Sequence, residues 1–154
     1  MLDNNVFVAA IAKPTRRTGT LRLILHMLAD DEIGLIGDRY LAEEMLQYTE
    51  VYPSETAISL LDAFASRTEF IEVESRYLKI IRNYMGTTDI SDIYHASVCL
   101  QMDFTLISDD HHFDKIRDEG VLTVWNTKTA IDEILGLSND KNEPRRSRKN
   151  TRAD

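Results

Sequence analysis

The feature that most constrains the fold of this chain is an alternation. Short runs rich in aliphatic and β-branched residues, EIGLIG (32–37), TEFIEV (68–73), FTLIS (104–108) and VLTVW (121–125), are separated by segments of a different period. In those segments apolar residues recur at helical spacing: 21, 24, 25 and 28; then 41, 45 and 48; then 57, 58, 60, 61 and 64. The opening LDNNVFVAAI begins strand-like and turns into a short helix. Asp38 and Ser54 stand where helix N-caps belong, Pro53 breaks the chain, and Gly86 stops a helix over 74–84. SDIYHASVCLQM (91–102) and TKTAIDEILGL (127–137) are further helices. This order predicts an α/β fold, a three-layer α/β/α sandwich around a mainly parallel central sheet. In such sheets functional groups collect at the carboxyl ends of the strands.

A chain of 154 residues with 43% hydrophobic content builds one core without covalent staples. The single cysteine, Cys99, excludes an internal disulfide framework and suits a reducing compartment. No apolar run reaches the ~18–20 residues of a membrane span. The opening residues lack a basic segment and carry Asp3, unlike a signal peptide, so a cytoplasmic protein is expected. Charge is unevenly distributed. Of 18 basic and 26 acidic groups, residues 141–154 hold six and two, which leaves residues 1–140 with a net of −12. A body this acidic is not a typical polyanion binder unless a cation supplies positive charge locally. The near absence of apolar residues from NDKNEPRRSRKNTRAD predicts a disordered basic tail over 139–154 behind a domain spanning 1–138.

The acids fall where the fold gathers strand ends. Asp3 lies between the first strand and the first helix. Glu43 and Glu44 lie on the helix after the second strand, Asp89 and Asp92 at the start of the 91–102 helix, and Asp109 and Asp110 directly after FTLIS. Taken singly, each has a plain structural role as a cap, a turn residue or a solvated face. Taken together, several carboxylates on one rim repel one another, and a divalent cation relieves that cost. Hard oxygen donors select Mg²⁺ or Mn²⁺. His111 and His112 invite a zinc reading, but their spacing and the lone cysteine disfavour it; with Asp109, both read as bystanders on the turn or as residues standing behind the ligands. His95 shares a helix face with Asp92 and reads either as a support behind the ligating acids or, more plainly, as a histidine at the edge of the core.

Four of these stretches, LDNNVF (Asp3 with Asn5), YLAEEML (Glu44, or Glu43), SDIYHAS (Asp92 with Ala96) and ISDDHHF (Ser108, Asp110, Phe113), resemble the motifs of the PIN-domain family in order and spacing along residues 1–125. Met45 after Glu44 favours Glu44 as the family's glutamate. Asn4 stands where threonine is common, and His112 where an aspartate is frequent. The resemblance implies a metal-dependent ribonuclease, akin to toxins of type II toxin–antitoxin pairs. Asp3, Glu44, Asp92 and Asp110 would be catalytic and hold Mg²⁺ or Mn²⁺. Asn5 and Ser108 would brace the aspartates, and Asp89 and Asp109 would stand behind them. Lys13, Arg16 and Arg17 would meet RNA phosphates. An antitoxin protein and a homodimer are further implied partners. The alternative is a non-catalytic PIN-like module that binds RNA or a partner protein. A phosphotransfer reading is disfavoured, since Asp3 is followed by Asn5 rather than by a second acid two residues on.

Overall fold

The computed structural model describes residues 1–12, 18–86 and 89–136. The loop cations Lys13, Arg16 and Arg17 and the basic tail lie outside the described residues. The elements follow in the order α1 (Asn4–Ile11), α2 (Gly19–Ala29), β1 (Leu35–Gly37), α3 (Arg39–Val51), α4 (Glu55–Arg67), β2 (Thr68–Phe70), α5 (Ser75–Met85), α6 (Ile90–Met102), β3 (Leu106–Ile107), a 3₁₀ turn (His111–Phe113), α7 (Asp114–Asp118), β4 (Val124–Trp125) and α8 (Thr127–Ile134).

All strand pairing is parallel among the described residues. β1 pairs with β2 in the register Leu35↔Thr68 to Gly37↔Phe70, and β3 with β4 as Leu106↔Val124 and Ile107↔Trp125. The start of the chain adds to the other edge of β3: Leu2 bridges Ile107, Ile107 N donates to Met1 O at 2.9 Å, and Asp3 N donates to Ile107 O at 2.9 Å. The α/β class and its parallel pairing hold. The expected central sheet takes the form of two short parallel pairs. Only two or three residues of each predicted run keep ladder geometry. Past β2, for example, a single further bond runs from Ile71 N to Gly37 O.

Helix starts follow the local chemistry. Asp3 caps α1 through Asn4 N, Asp38 caps α3 through Tyr40 N and Leu41 N, and Ser54 caps α4 through Ala57 N. Asp89, not Asp92, caps α6, which leaves Asp92 in the first turn near the positive end of the helix. Gly86 ends α5 at φ 69°, and Asp103 ends α6 at φ 58°, ψ 45°, in the left-handed region that side-chain-bearing residues seldom adopt. The turn that carries His111 and His112 coils into the 3₁₀ turn and runs on into α7, where Phe113 and Ile116 bury completely.

One core runs through the molecule, with Leu2, Phe7, Ile24, Ile36, Leu41, Phe64, Leu106, Phe113 and Ile116 at 2% exposure or less. The Phe7 and Phe64 rings meet edge-on at 6.5 Å. Cys99 is fully buried on α6, and burial pushes its thiol up to about 12, which keeps it protonated and inert. At Gly37 a Cβ would lie 3.0 Å from Leu41 Cδ2 and 3.1 Å from Thr68 Cγ2. Glycine therefore lets α3 leave β1 abruptly and sets Asp38 at the strand's carboxyl end. Among the described residues, no helix is long and apolar enough to cross a membrane.

Arg67 ties the end of α4 to the turn before β1. Its guanidinium donates to Leu28 O (2.7 Å), Asp30 O (3.0 Å) and Ile33 O (3.1 Å), with exposed Asp31 at 3.1 Å. Of these carbonyls, left by the end of α2 and the following turn, Asp30 O also accepts from Ile33 N at 3.2 Å, while Leu28 O and Ile33 O lose the Arg67 donor if the fork is removed. Arg67→Ala is expected to lower unfolding free energy by about 2–3 kcal/mol. Arg67→Lys, a point donor, should restore only part of that. Urea unfolding of the three proteins is the measurement, and equal midpoints would contradict this role.

Candidate metal centre

The carboxyl ends of the opening strand and of β3, with the starts of α1 and α6 and the first turns of α3, surround a cleft of ≈ 340 Å³. Asp3, Glu44, Asp89, Asp92, Asp110 and His112 line it. The four acids separated by up to 107 positions in the chain are thus brought to one place. Glu44 is the glutamate on this wall. Glu43 faces a different hollow, beside Phe70 and Tyr94.

Ser108 is the hub of one side. Its Oγ donates to Asp3 Oδ2 at 2.5 Å and accepts from Asn5 Nδ2 at 3.2 Å and from Asp110 N at 3.0 Å. Asp3 Oδ1 accepts from Asn4 N at 2.6 Å. Asp3 is buried, and burial raises its pKa although the Ser108 bond pulls the other way. Asp110 Oδ1 accepts from His112 N at 2.9 Å, which holds the 3₁₀ turn in place.

Asp92, Asp110 and His112 form the tightest group. One ligand atom from each lies within 4.8 Å of the other two. His112 Nδ1 is 2.8 Å from Asp92 Oδ2 and 3.5 Å from Asp110 Oδ1. Burial and then the neighbouring Asp110 charge raise the Asp92 pKa, outweighing the His112 bond, while Asp92 raises that of His112. His112 therefore lines the cleft itself. Its sequence signal was its place in ISDDHHF; the contact with Asp92, 20 positions away, exists only after folding. Asp109 is not brought to the cleft: Thr127 N and Oγ1 donate to its carboxylate at 2.8 and 2.5 Å, so it pins the start of α8. His111 leans on Asp114 at 3.3 Å in solvent.

A second arrangement gives His95 partners that the sequence did not name. His95 is fully buried, with Nδ1 2.7 Å from Asp38 Oδ2 and Nε2 3.4 Å from Glu44 Oε2. Burial alone would depress an imidazole, but the two carboxylates push His95 up to about 10. Asp38 was legible only as a helix cap, because its other oxygen meets a residue 57 positions away.

The donor set fits a divalent cation. It is dominated by hard carboxylate oxygens with one imidazole, and burial makes two of the acids hold protons more tightly than in water. The buried Oδ1 of Asn4, on the same wall, has no hydrogen-bond partner among the described residues. The PIN-domain family model matches residues 1–119, and the chain belongs to the PIN-domain family. Members of this family are generally nucleases that act on RNA with a divalent metal. No curated protein and no solved structure matches the chain.

The raised carboxyls carry a stability consequence. Asp3 and Asp92 bind protons more tightly folded than unfolded. The stability they contribute is complete below the ordinary carboxylate range and is lost as pH rises through their raised folded values. In chelator at about pH 7, Asp92→Asn should therefore melt above the unsubstituted protein, and the gap should close near pH ~4. A thermal melt at both pH values tests this; a variant that melts lower at neutral pH contradicts it.

Proposed function

We propose that the chain is a Mg²⁺- or Mn²⁺-dependent endoribonuclease, the toxin of a type II toxin–antitoxin pair. The observation that carries the reading is the convergence of Asp3, Glu44, Asp92 and Asp110 on one cleft of a PIN domain. Asp92 and Asp110 would hold the cation, with His112 beside them and Asp3 on the same cleft. A bound divalent ion supplies Lewis acidity for the phosphoryl oxygens and activates water as the nucleophile.

The chain's own groups prepare that site. Ser108 and Asn5 fix the direction of Asp3, and the Ser108 bond to Asp110 N keeps both acids on one frame. Glu44 engages His95 through Oε2, which leaves Oε1 for the ion or for a proton of the attacking water. An acidic rim repels phosphates, so productive RNA binding is linked to the metal. Lys13, Arg16 and Arg17, which follow α1 in the sequence, would supply the cations for the backbone on either side of the scissile bond. A cognate antitoxin and a homodimer belong to this reading and rest on the family resemblance.

RNA cleavage by the full chain should require Mg²⁺ or Mn²⁺ and stop in EDTA. Asp3→Asn and Asp110→Asn should each lose more than the roughly 10–100-fold typical of a residue that merely supports a ligand. Cleavage that persists in EDTA or in both variants contradicts the assignment. RNA binding with neither metal affinity nor turnover would make the protein a binding module instead.

A further inference from the structure

The buried chain Asp38–His95–Glu44 has more in it than a satisfied core histidine. Asp38 has a side chain 1% exposed, and both of its oxygens are occupied: Oδ1 caps α3 through Tyr40 N at 2.8 Å and Leu41 N at 3.2 Å, and Oδ2 faces His95 Nδ1 at 2.7 Å. Neutralising Asp38 uses one ring nitrogen. The other, Nε2, faces Glu44 Oε2 at 3.4 Å, and Glu44 is 26% exposed on the cleft wall. Ionised carboxylates only accept hydrogen bonds, so an imidazole between two of them donates from both nitrogens. The ring is thereby fixed in plane by two anchors, one on the rigid start of α3 and one on the cleft.

We propose that His95 is a positioning residue for the metal centre, a strut from Asp38 that holds the Glu44 carboxylate at the cleft. The inference rests on the reading of the cleft as a metal centre. It identifies the part that a glutamate on a helix cannot supply alone, since an unanchored side chain with three rotatable bonds would be drawn away from the other acids by repulsion. The neighbouring acids Asp3, Asp92 and Asp110 give that repulsion its direction. Glu43, one residue earlier, lacks the anchor and turns to the other side of α3.

The test is Mn²⁺ binding to the full chain by calorimetry, with His95→Gln, Glu44→Gln and the double variant, each checked for a cooperative thermal transition. His95→Gln is expected to weaken Mn²⁺ by about 10–100-fold, and the double variant to bind no more weakly than Glu44→Gln alone. Wild-type affinity in folded His95→Gln, or fully additive losses, overturns the strut. If His95→Gln does not fold, ¹⁵N-histidine spectra of the unsubstituted protein carry the test. Titration with Mg²⁺ should displace the His95 Nε2 resonance, and Glu44→Gln should abolish that displacement. An unmoved resonance in a protein that binds Mg²⁺ overturns the proposal while leaving the metal centre standing. A chain that binds neither ion overturns the metal reading, and the strut falls with it.

Discussion

Like charges brought together at the end of a parallel sheet are the constraint on which this structure turns. Burial and repulsion both penalise ionised carboxylates, and at Asp3 and Asp92 burial outweighs the hydrogen bonds from Ser108 and His112. A fold does not assemble such a group for its own stability. It tolerates the cost because hydrogen bonds hold the acids in fixed directions: Ser108 on Asp3, backbone N–H groups at Asp110 and Asp89, and imidazoles at Glu44 and Asp92. Rigidity and electrostatic strain occur at the same few residues, as a cation site requires.

The supporting frame accounts for how acids so far apart in sequence meet. Hydrogen bonds run from β3 to the opening strand and from β3 to β4, so Asp3 and Ser108 become neighbours through backbone pairing alone. Gly37 lets α3 turn immediately at the end of β1, which carries Glu44 to the cleft. Asp89 starts α6 and thereby aims its first turn, with Asp92, at the same point.

The helices were legible in the sequence because their caps and apolar periods are local properties. Asp38, Ser54 and Gly86 act where the residues alone placed them. The strand ladders were less legible. TEFIEV and VLTVW have the composition of longer strands, but only two or three residues in each find a partner, and partner geometry is a tertiary fact. The site divides in the same way. Asp3, Glu44, Asp92 and Asp110 could be named from motifs and from the rule of strand ends. The parts played by His95, His112 and Asp109 could not. Each depends on a contact across 18 to 57 positions, with Thr127, Asp92 or Asp38, that no spacing encodes.

The central claim is that one cation sits among these acids. Crystals of the full chain soaked in Mn²⁺ and measured for anomalous scattering test it most directly. The account requires a peak bounded by the carboxylates of Asp92 and Asp110, on the cleft that Asp3 and Glu44 share. Mn²⁺ bound elsewhere with the cleft empty, or salt-bridged acids unchanged at saturating Mn²⁺, would contradict it.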